Sequence, residues 1–441
     1  MEKASEISRR SFLGTSAATP LVWAAGPRPA GERLKAGVVG CGGRGTGAVV
    51  DMLTGNENVE LTAMADVFED KLEGSLGRLR DPRTLGRHRG ITVERGGAAK
   101  EMSAEELAAS IQPRIKVPPE HHFVGFDAYQ KLVNSGVDIV LLCTPPGYRP
   151  IHFEAAVNAG KHVFTEKPIA TDAVGTRRFM AATKKAEEKK LTVVSGAQRH
   201  ATRDYIETIQ KIREGAIGEI VALYSWYLSG PVFHAKARDA KWSDMEWQHR
   251  NWYSFLWLCG DQIVEQHFHN IDFMNWVMNA HPVRVVASGG AAWRSREELY
   301  GNIYDHMASD FTYPNGVRLS SHCRQYPPGG GIYRNVSDLI VGTRGRSDGT
   351  DLGTRGINGQ VQEHIDLVRS ITGQGPYLNQ GMAVAESTLT CIMARESAYS
   401  GQEITWEQVM NSQQDLMPKA FDYKLQLQPP PLPVPGQYKF S

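Results

Sequence analysis

The chain has 441 residues, too many for one ordinary core and suited to two domains plus tails. Its 49 Lys and Arg against 48 Asp and Glu leave a net charge of +1, which gives no footprint for nucleic acid or an anionic membrane surface. No run of about 20 apolar residues is present to span a bilayer.

The amino terminus reads Ser8-Arg9-Arg10-Ser11-Phe12-Leu13-Gly14 before a short, weakly apolar stretch over residues 15–26. Paired arginines ahead of Phe-Leu resemble a twin-arginine export signal. Residues 1–33 are therefore set apart as signal and linker, and the expected location is the periplasm or another exported compartment.

From residue 34 onward, strands are predicted over 36–39, 59–65, 137–143, 162–164 and 191–195, with helices over 126–135, 152–159 and 175–190 between them. Continuous apolar strands separated by helices predict an α/β domain over 34–200, a parallel sheet covered on both faces. Residues 80–120, rich in Arg, Gly and Pro, break the rhythm and read as an inserted excursion with one short helix over 103–111. After residue 218 the strands follow one another, over 219–229, 283–292, 306–313 and 317–323. That succession predicts a second, α+β domain over 201–425 on a large, mostly antiparallel sheet. Helices over 360–372 and 382–399 close it, and the proline-rich tail 426–441 should be extended. The five cysteines are scattered and odd in number, which makes neither a metal pair nor a disulfide framework.

The first predicted strand runs into Gly40-Cys41-Gly42-Gly43-Arg44-Gly45, with a helix-compatible stretch after it. In that setting the glycines make a dinucleotide turn. Gly40 allows the tight bend, Gly42 lets the backbone approach a pyrophosphate, and Gly45 permits close helix–strand packing. Gly43 and Arg44 share the loop, and the helix amino terminus offers N–H groups to the phosphates. Asp66, about 20 positions on, can accept from both ribose hydroxyls and repels a 2′-phosphate. NAD is favoured over NADP, although Lys71 or Arg78 would soften the choice.

Further along stand Thr144-Pro145-Pro146, His152-Phe153-Glu154-Ala155-Ala156, Ala159-Gly160-Lys161-His162-Val163 and Glu166-Lys167-Pro168. The run over 141–168 resembles the Gfo/Idh/MocA oxidoreductase family, which includes glucose–fructose oxidoreductase and inositol dehydrogenases, and the resemblance extends over roughly 34–410. It implies a Rossmann domain followed by an open-faced sheet through which subunits pair, hence a homo-oligomer, dimer or tetramer. It also implies that Thr144, Pro145, His152 and Glu166 line the cofactor site, with Lys167 near the nicotinamide and the reacting hydroxyl. A partly desolvated lysine beside positive charge can relay a proton there.

The second family element is Gly260-Asp261-Gln262-Ile263-Val264-Glu265-Gln266-His267-Phe268-His269-Asn270-Ile271-Asp272. On a continuous helix Glu265, His269 and Asp272 share one face. By the match, His269 is the proton-transferring base and Glu265 stands in the family's usual Asp position. One extra methylene moves a carboxylate by about 1 Å, a misplacement that costs on the order of a hundredfold in rate. Either the backbone compensates or the chemistry differs from simple polyol oxidation. His267 and His269 point to different sides of a helix, so no metal is expected.

Six of the nine tryptophans, including Trp226, Trp252 and Trp276, fall between residues 226 and 276. Such rings stack on sugar C–H faces or fill a core with equal ease. Arg199, His200 and Tyr205 follow the fifth strand in a pattern similar to one the family shows near its active site, and with Trp252 and Asp272 they are the expected contacts to a small carbohydrate or polyol substrate.

Export would remove the protein from the cytoplasmic nicotinamide pool, so the cofactor must stay bound. A residence of hours sets an off-rate of roughly 10⁻⁴ s⁻¹; with on-rates of about 10⁵–10⁷ M⁻¹s⁻¹, Kd is about 10⁻⁹–10⁻¹¹ M, or about −12 to −15 kcal/mol. The insertion 80–120 or the proline-rich tail would help cover the cofactor. A trapped cofactor must be regenerated in place, and the preferred reading is that one sugar is oxidised while a second carbonyl compound is reduced. The alternative is a glycosidase that oxidises transiently, eliminates the glycosidic group and returns the hydride. A third reading is a non-catalytic sugar-binding regulatory protein on the same fold, which the presence of Lys167, Glu265 and His269 weighs against.

Overall fold

The computed structural model describes residues 33–81, 92–95, 98–232, 235–294 and 297–441; the paired arginines lie outside them. The first half contains β1 (Leu34–Val39), β2 (Val59–Asp66), a hairpin of β3 (Thr92–Arg95) and β4 (Ala98–Glu101), β5 (His122–Val124), β6 (Ile139–Leu142), β7 (His162–Thr165) and β8 (Val193–Ser195). All but the hairpin form one parallel sheet in the order β5-β2-β1-β6-β7-β8. This is the Rossmann order, which reverses between β1 and β6 and leaves a crevice at their carboxyl ends. The strands are apolar throughout because helices cover both faces. Val39, Val140 and Leu142 pack toward the helices Arg149–Asn158 and Ala173–Glu188. Ala36, Val38 and Leu141 pack toward the helix Gly43–Gly55.

The stretch read as an irregular insertion carries the β3–β4 hairpin and the helix Ala104–Ile111, whose start is fixed by a capping box between Ser103 and Glu106.

The second half contains β9 (Ile220–Ser229), β10 (Arg284–Gly290), β11 (His306–Thr312), β12 (Arg318–Gln325), β13 (Asn335–Gly342), β14 (Arg346–Ser347) and β15 (Ile404–Thr405). They form a sheet in the order β14-β13-β9-β12-β11-β10-β15, antiparallel except where β9 meets β12. Period-two alternation buries Val285, Met307, Phe311, Leu319 and Ile340 on one face. The opposite face is open, with Tyr224 and Val286 exposed.

Two later helices position the site. Gly381–Ser400 is buried nearly throughout and packs against β10 and the helices Ala173–Glu188 and Phe268–Met278. Its Thr388 hydroxyl accepts from the Ile169 N–H at 3.2 Å, and its buried Arg395 donates to the carbonyls of Thr171 (2.6 Å) and Gly260 (3.0 Å). The segments around Lys167 and Glu265 thereby hang from one helix. Gly359–Thr372 belongs to the second half by sequence but returns to the first sheet, where Val361, Leu367 and Val368 pack beside the helix Gly43–Gly55. The proline-rich tail forms neither helix nor strand, turns at residues 434–438 and is bound down: the Tyr304 hydroxyl donates to the Pro433 carbonyl at 2.8 Å, and the Gly436 N–H to the Ser400 carbonyl at 3.2 Å. No described helix is long and apolar enough to cross a membrane.

Candidate active site

The chain leaves β1 through Gly40, whose φ is +96°. A Cβ there would meet the Cys143 carbonyl carbon at 2.7 Å, and one at Gly45 would lie 1.8 Å from the Gly40 oxygen. These two glycines are needed for the turn to close. At Gly42 and Gly43, by contrast, a Cβ meets nothing within 4 Å. The helix Gly43–Gly55 starts there with no side-chain cap and no acid in its first turn. Uncapped N–H groups facing open space at a helix start fit a pyrophosphate.

Asp66 ends β2 and accepts from the N–H groups of Cys41 (2.6 Å) and Phe68 (2.9 Å). Burial pushes its carboxyl up, and those two N–H groups pull it back down. It ties the glycine turn to the end of β2. Arg44, expected among the cofactor contacts, pairs with Asp51 at 2.6 Å and with Glu166, beyond β7, at 2.8 Å. Thr144 and Pro145 are half-buried after β6. His152, also expected at the cofactor, is buried between Tyr129 and Tyr148, with Nδ1 3.2 Å from the Thr144 hydroxyl. Burial drives it down to about 3, so the ring is neutral and supports Thr144.

Lys167 is buried, donates to the Glu265 carbonyl at 2.8 Å and lies 3.6 Å from the Glu265 carboxylate. The structure thus gives it acceptors where neighbouring positive charge was expected. Burial raises the Glu265 carboxyl, while Lys167 and the buried Arg149 lower it. The single helical face expected for residues 265, 269 and 272 does not exist. Gln262–Glu265 and Phe268–Met278 are separate helices, and at their junction the His267 N–H reaches back five residues to the Gln262 carbonyl at 3.3 Å. The His269 N–H turns to Gln266 at 3.4 Å, and the Glu265 carbonyl serves Lys167.

The His269 ring has no hydrogen-bond partner among the described residues. Burial first, then Lys167, Arg199 and His267, push it well below its ordinary value. It is neutral near pH 7 and able to accept a proton. His267 faces away, with Nε2 2.5 Å from the Ser321 hydroxyl on β12. Asp272 bonds His200 at 2.9 Å, whose ring stacks on Trp276 at 4.2 Å. Arg199 pairs with Asp338 of β13 at 2.7 Å and lies over Tyr205 at 5.1 Å. Arg199, His200, Tyr205 and Asp272 therefore form a braced wall next to His269, and each already has a protein partner. Trp252 is half-buried against the core and edge-on to Tyr253, while Trp247 and Trp257 are buried, so most of the tryptophan cluster is packing.

Sequence reasoning missed several members. Gln266 donates to the Glu265 carboxylate and accepts from the Tyr227 hydroxyl at 2.7 Å; Asn270 donates to Asp338 at 2.9 Å. Gln266 and Asn270 lay inside the motif already singled out, whereas Tyr227 and Asp338 come from strands with no local signal.

Residues 93–195 match the model of an oxidoreductase family with an NAD-binding Rossmann fold, and residues 205–347 that of the GFO/IDH/MocA C-terminal domain. An inositol 2-dehydrogenase/D-chiro-inositol 3-dehydrogenase of Lactiplantibacillus plantarum is 34% identical over 97 residues, 21% of this chain and 27% of that protein. A scyllo-inositol 2-dehydrogenase (NAD(+)) of Bacillus subtilis is 22% identical over 219 residues, 50% and 57% of the two chains. The chain thus spans between about a quarter and a little over half of the length of these curated relatives. The crystal structure of scyllo-inositol dehydrogenase from Lactobacillus casei with NAD(H) and scyllo-inositol aligns with a TM-score of 0.60 at 17% identity, over 85% of this chain and 99% of that one. That likeness is one of fold.

Proposed function

The chain belongs to the Gfo/Idh/MocA oxidoreductase family, and on that premise we propose that it oxidises a hydroxyl of a sugar or polyol with NAD. The observation that carries the reading is the meeting of Lys167, Glu265 and a neutral, partner-free His269. Bound NAD supplies the hydride acceptor. His269 receives the proton of the substrate hydroxyl. Lys167, pinned through one N–H by the Glu265 carbonyl, presents its remaining N–H groups to the same oxygen and offsets the charge that develops there. The positive charges of Lys167 and Arg199 beside His269 then favour handing the proton on. The curated relatives named inositol dehydrogenases support the polyol class, and Asp66 at the ribose position supports NAD over NADP.

Three further features belong to the same proposal. Arg9-Arg10 and the leader after them support export. Export in turn supports a cofactor recycled in place by a second carbonyl compound. The open face of the second sheet, where Tyr224 stacks on Trp226 at 5.9 Å and Val286 is exposed, supports a homo-oligomer.

Purified protein mixed with NAD and a panel of aldoses, inositols and glycosides tests the reading through the absorbance of reduced nicotinamide. It should rise with a polyol or aldose and fall when a second carbonyl compound is added. Absence of cofactor binding, or near-normal turnover in Lys167→Ala and His269→Ala, overturns the reading. Aglycone release without net reduction reassigns the protein to the glycosidase alternative.

A further inference from the structure

The adenosine side of the groove has a cover that the catalytic reading leaves unused. Phe68 follows Asp66 at the end of β2, Phe126 follows β5, and Tyr148 follows β6. Their rings stand at the strand ends where a Rossmann fold places adenosine. A segment from near the carboxyl terminus folds onto them. Phe421 lies 5.9 Å from Phe126 and 5.1 Å from Tyr148, and Tyr423 lies 4.9 Å from Phe126 and is stacked on Phe68 at 6.1 Å. Arg250 sits 4.0 Å over Phe68 and pairs with Asp70 at 3.1 Å, which holds the Phe68 ring in place.

This segment is fixed on both sides. The Leu416 N–H donates to Asp172 at 2.8 Å, and the Leu427 N–H donates to Asp244 at 2.9 Å. Between these anchors the Tyr423 hydroxyl is buried without a hydrogen-bond partner. Asp66 and Asp70 are close enough to oppose its ionisation, after burial and Glu246. A buried hydroxyl with no partner is costly unless a ligand completes it.

We propose that residues 415–427 are part of the cofactor site, a strap whose Tyr423 hydroxyl donates to the adenosine half and whose Tyr423 and Phe421 rings wall it in. The strap slows cofactor release, and the proposal rests on the NAD reading given above. The ligand chemistry is an adenylate, a purine with its ribose, and not the nicotinamide half.

Release of NADH from the full-length chain, followed by stopped-flow fluorescence, tests it alongside equilibrium titrations with NADH and with reduced nicotinamide mononucleotide, which lacks the adenylate. Tyr423→Ala should speed NADH release and weaken its binding by about tenfold to a hundredfold, the range for loss of one base–aromatic stack. Tyr423→Phe, which keeps the ring and its packing, should weaken it by about threefold to tenfold, the worth of one hydrogen bond. Affinity for the mononucleotide should be the same in all three proteins. Unchanged NADH release in both variants, equal losses for the two ligands, or tighter NADH binding (as an occluding strap would give) overturns the strap alone. A full-length chain that binds neither ligand overturns the NAD reading and the strap with it.

Discussion

Alanine at Gly42 places a methyl group where no atom lies within 4 Å, at a φ of −72° that alanine adopts freely. The fold has nothing to push against; the cost is an alanine at a helix N-cap, about 1 kcal/mol at most. The ligand side differs. A pyrophosphate in contact with this backbone must retreat by about 1 Å and give up a charge-assisted hydrogen bond worth about 1.5–3 kcal/mol. That predicts a rise in the NADH dissociation constant of about 10- to 150-fold with little change in melting temperature. Gly45→Ala should do the reverse. Its Cβ would lie 1.8 Å from the Gly40 oxygen, so the helix must move from β1 by about 1.6 Å to reach ordinary contact, an overpacking of about 1–3 kcal/mol or more. Gly43→Ala, in open space at the first helical position, should disturb neither property. Fluorescence titration with NADH and differential scanning calorimetry read the two effects separately. Wild-type affinity in Gly42→Ala, or a wild-type melt in Gly45→Ala, would refute the assignment of these glycines.

Asp66→Asn removes the charge that opposes a 2′-phosphate, so the preference for NADH over NADPH should shrink by at least about tenfold in competitive titrations; an unchanged ratio would place cofactor selection elsewhere. Glu265→Asp draws the carboxylate back from its 3.6 Å approach to Lys167, and steady-state assays should show kcat/KM lower by about tenfold to a hundredfold; wild-type turnover would show that the longer acid is not matched to this site. Asp261 is fully buried and, mainly through burial, is raised from 3.8 to about 6. Because the native state holds this proton more tightly than the unfolded chain, its contribution is full below about pH 4 and is lost as the pH rises through about 6, about 3 kcal/mol in all. Asp261→Asn should flatten the stability–pH curve across that window in chemical denaturation, and an unaltered slope would count against the shift.

The sequence was most legible where one residue type answers to one local demand. Gly40 and Gly45 each stand where a Cβ collides with backbone, and the apolar runs of β1, β2, β6 and β7 require helices on both faces. It was least legible where partners are distant. Arg199 reads as a free cation until β13 brings Asp338 beside it from 139 positions away. The strand β13 is itself hard to see in the sequence, because Leu339 and Val341 on the open face blur the alternation set by Asp338 and Ile340. The break between Glu265 and Phe268 left no mark either, since every residue from Gln262 to Met278 tolerates a continuous helix; the sheet and the central helix impose it through His267–Ser321 and Arg395–Gly260.

The return of Gly359–Thr372 to the first sheet bears on how such proteins can be recombined. At Gly55 a Cβ would meet Ile365 at 2.7 Å and Val361 at 3.3 Å, and Asn379 bridges to Val193 at the sheet edge. The nucleotide half therefore borrows one of its faces from chain that lies beyond the substrate half. A chimera joined near residue 200 would set one parent's Val361, Ile365 and Leu367 against the other parent's Gly55, a seam with no slack for a methyl group. The substrate half in turn takes β15 and much of its packing, through Gly381–Ser400, from beyond that crossing, so the two halves exchange only as one piece.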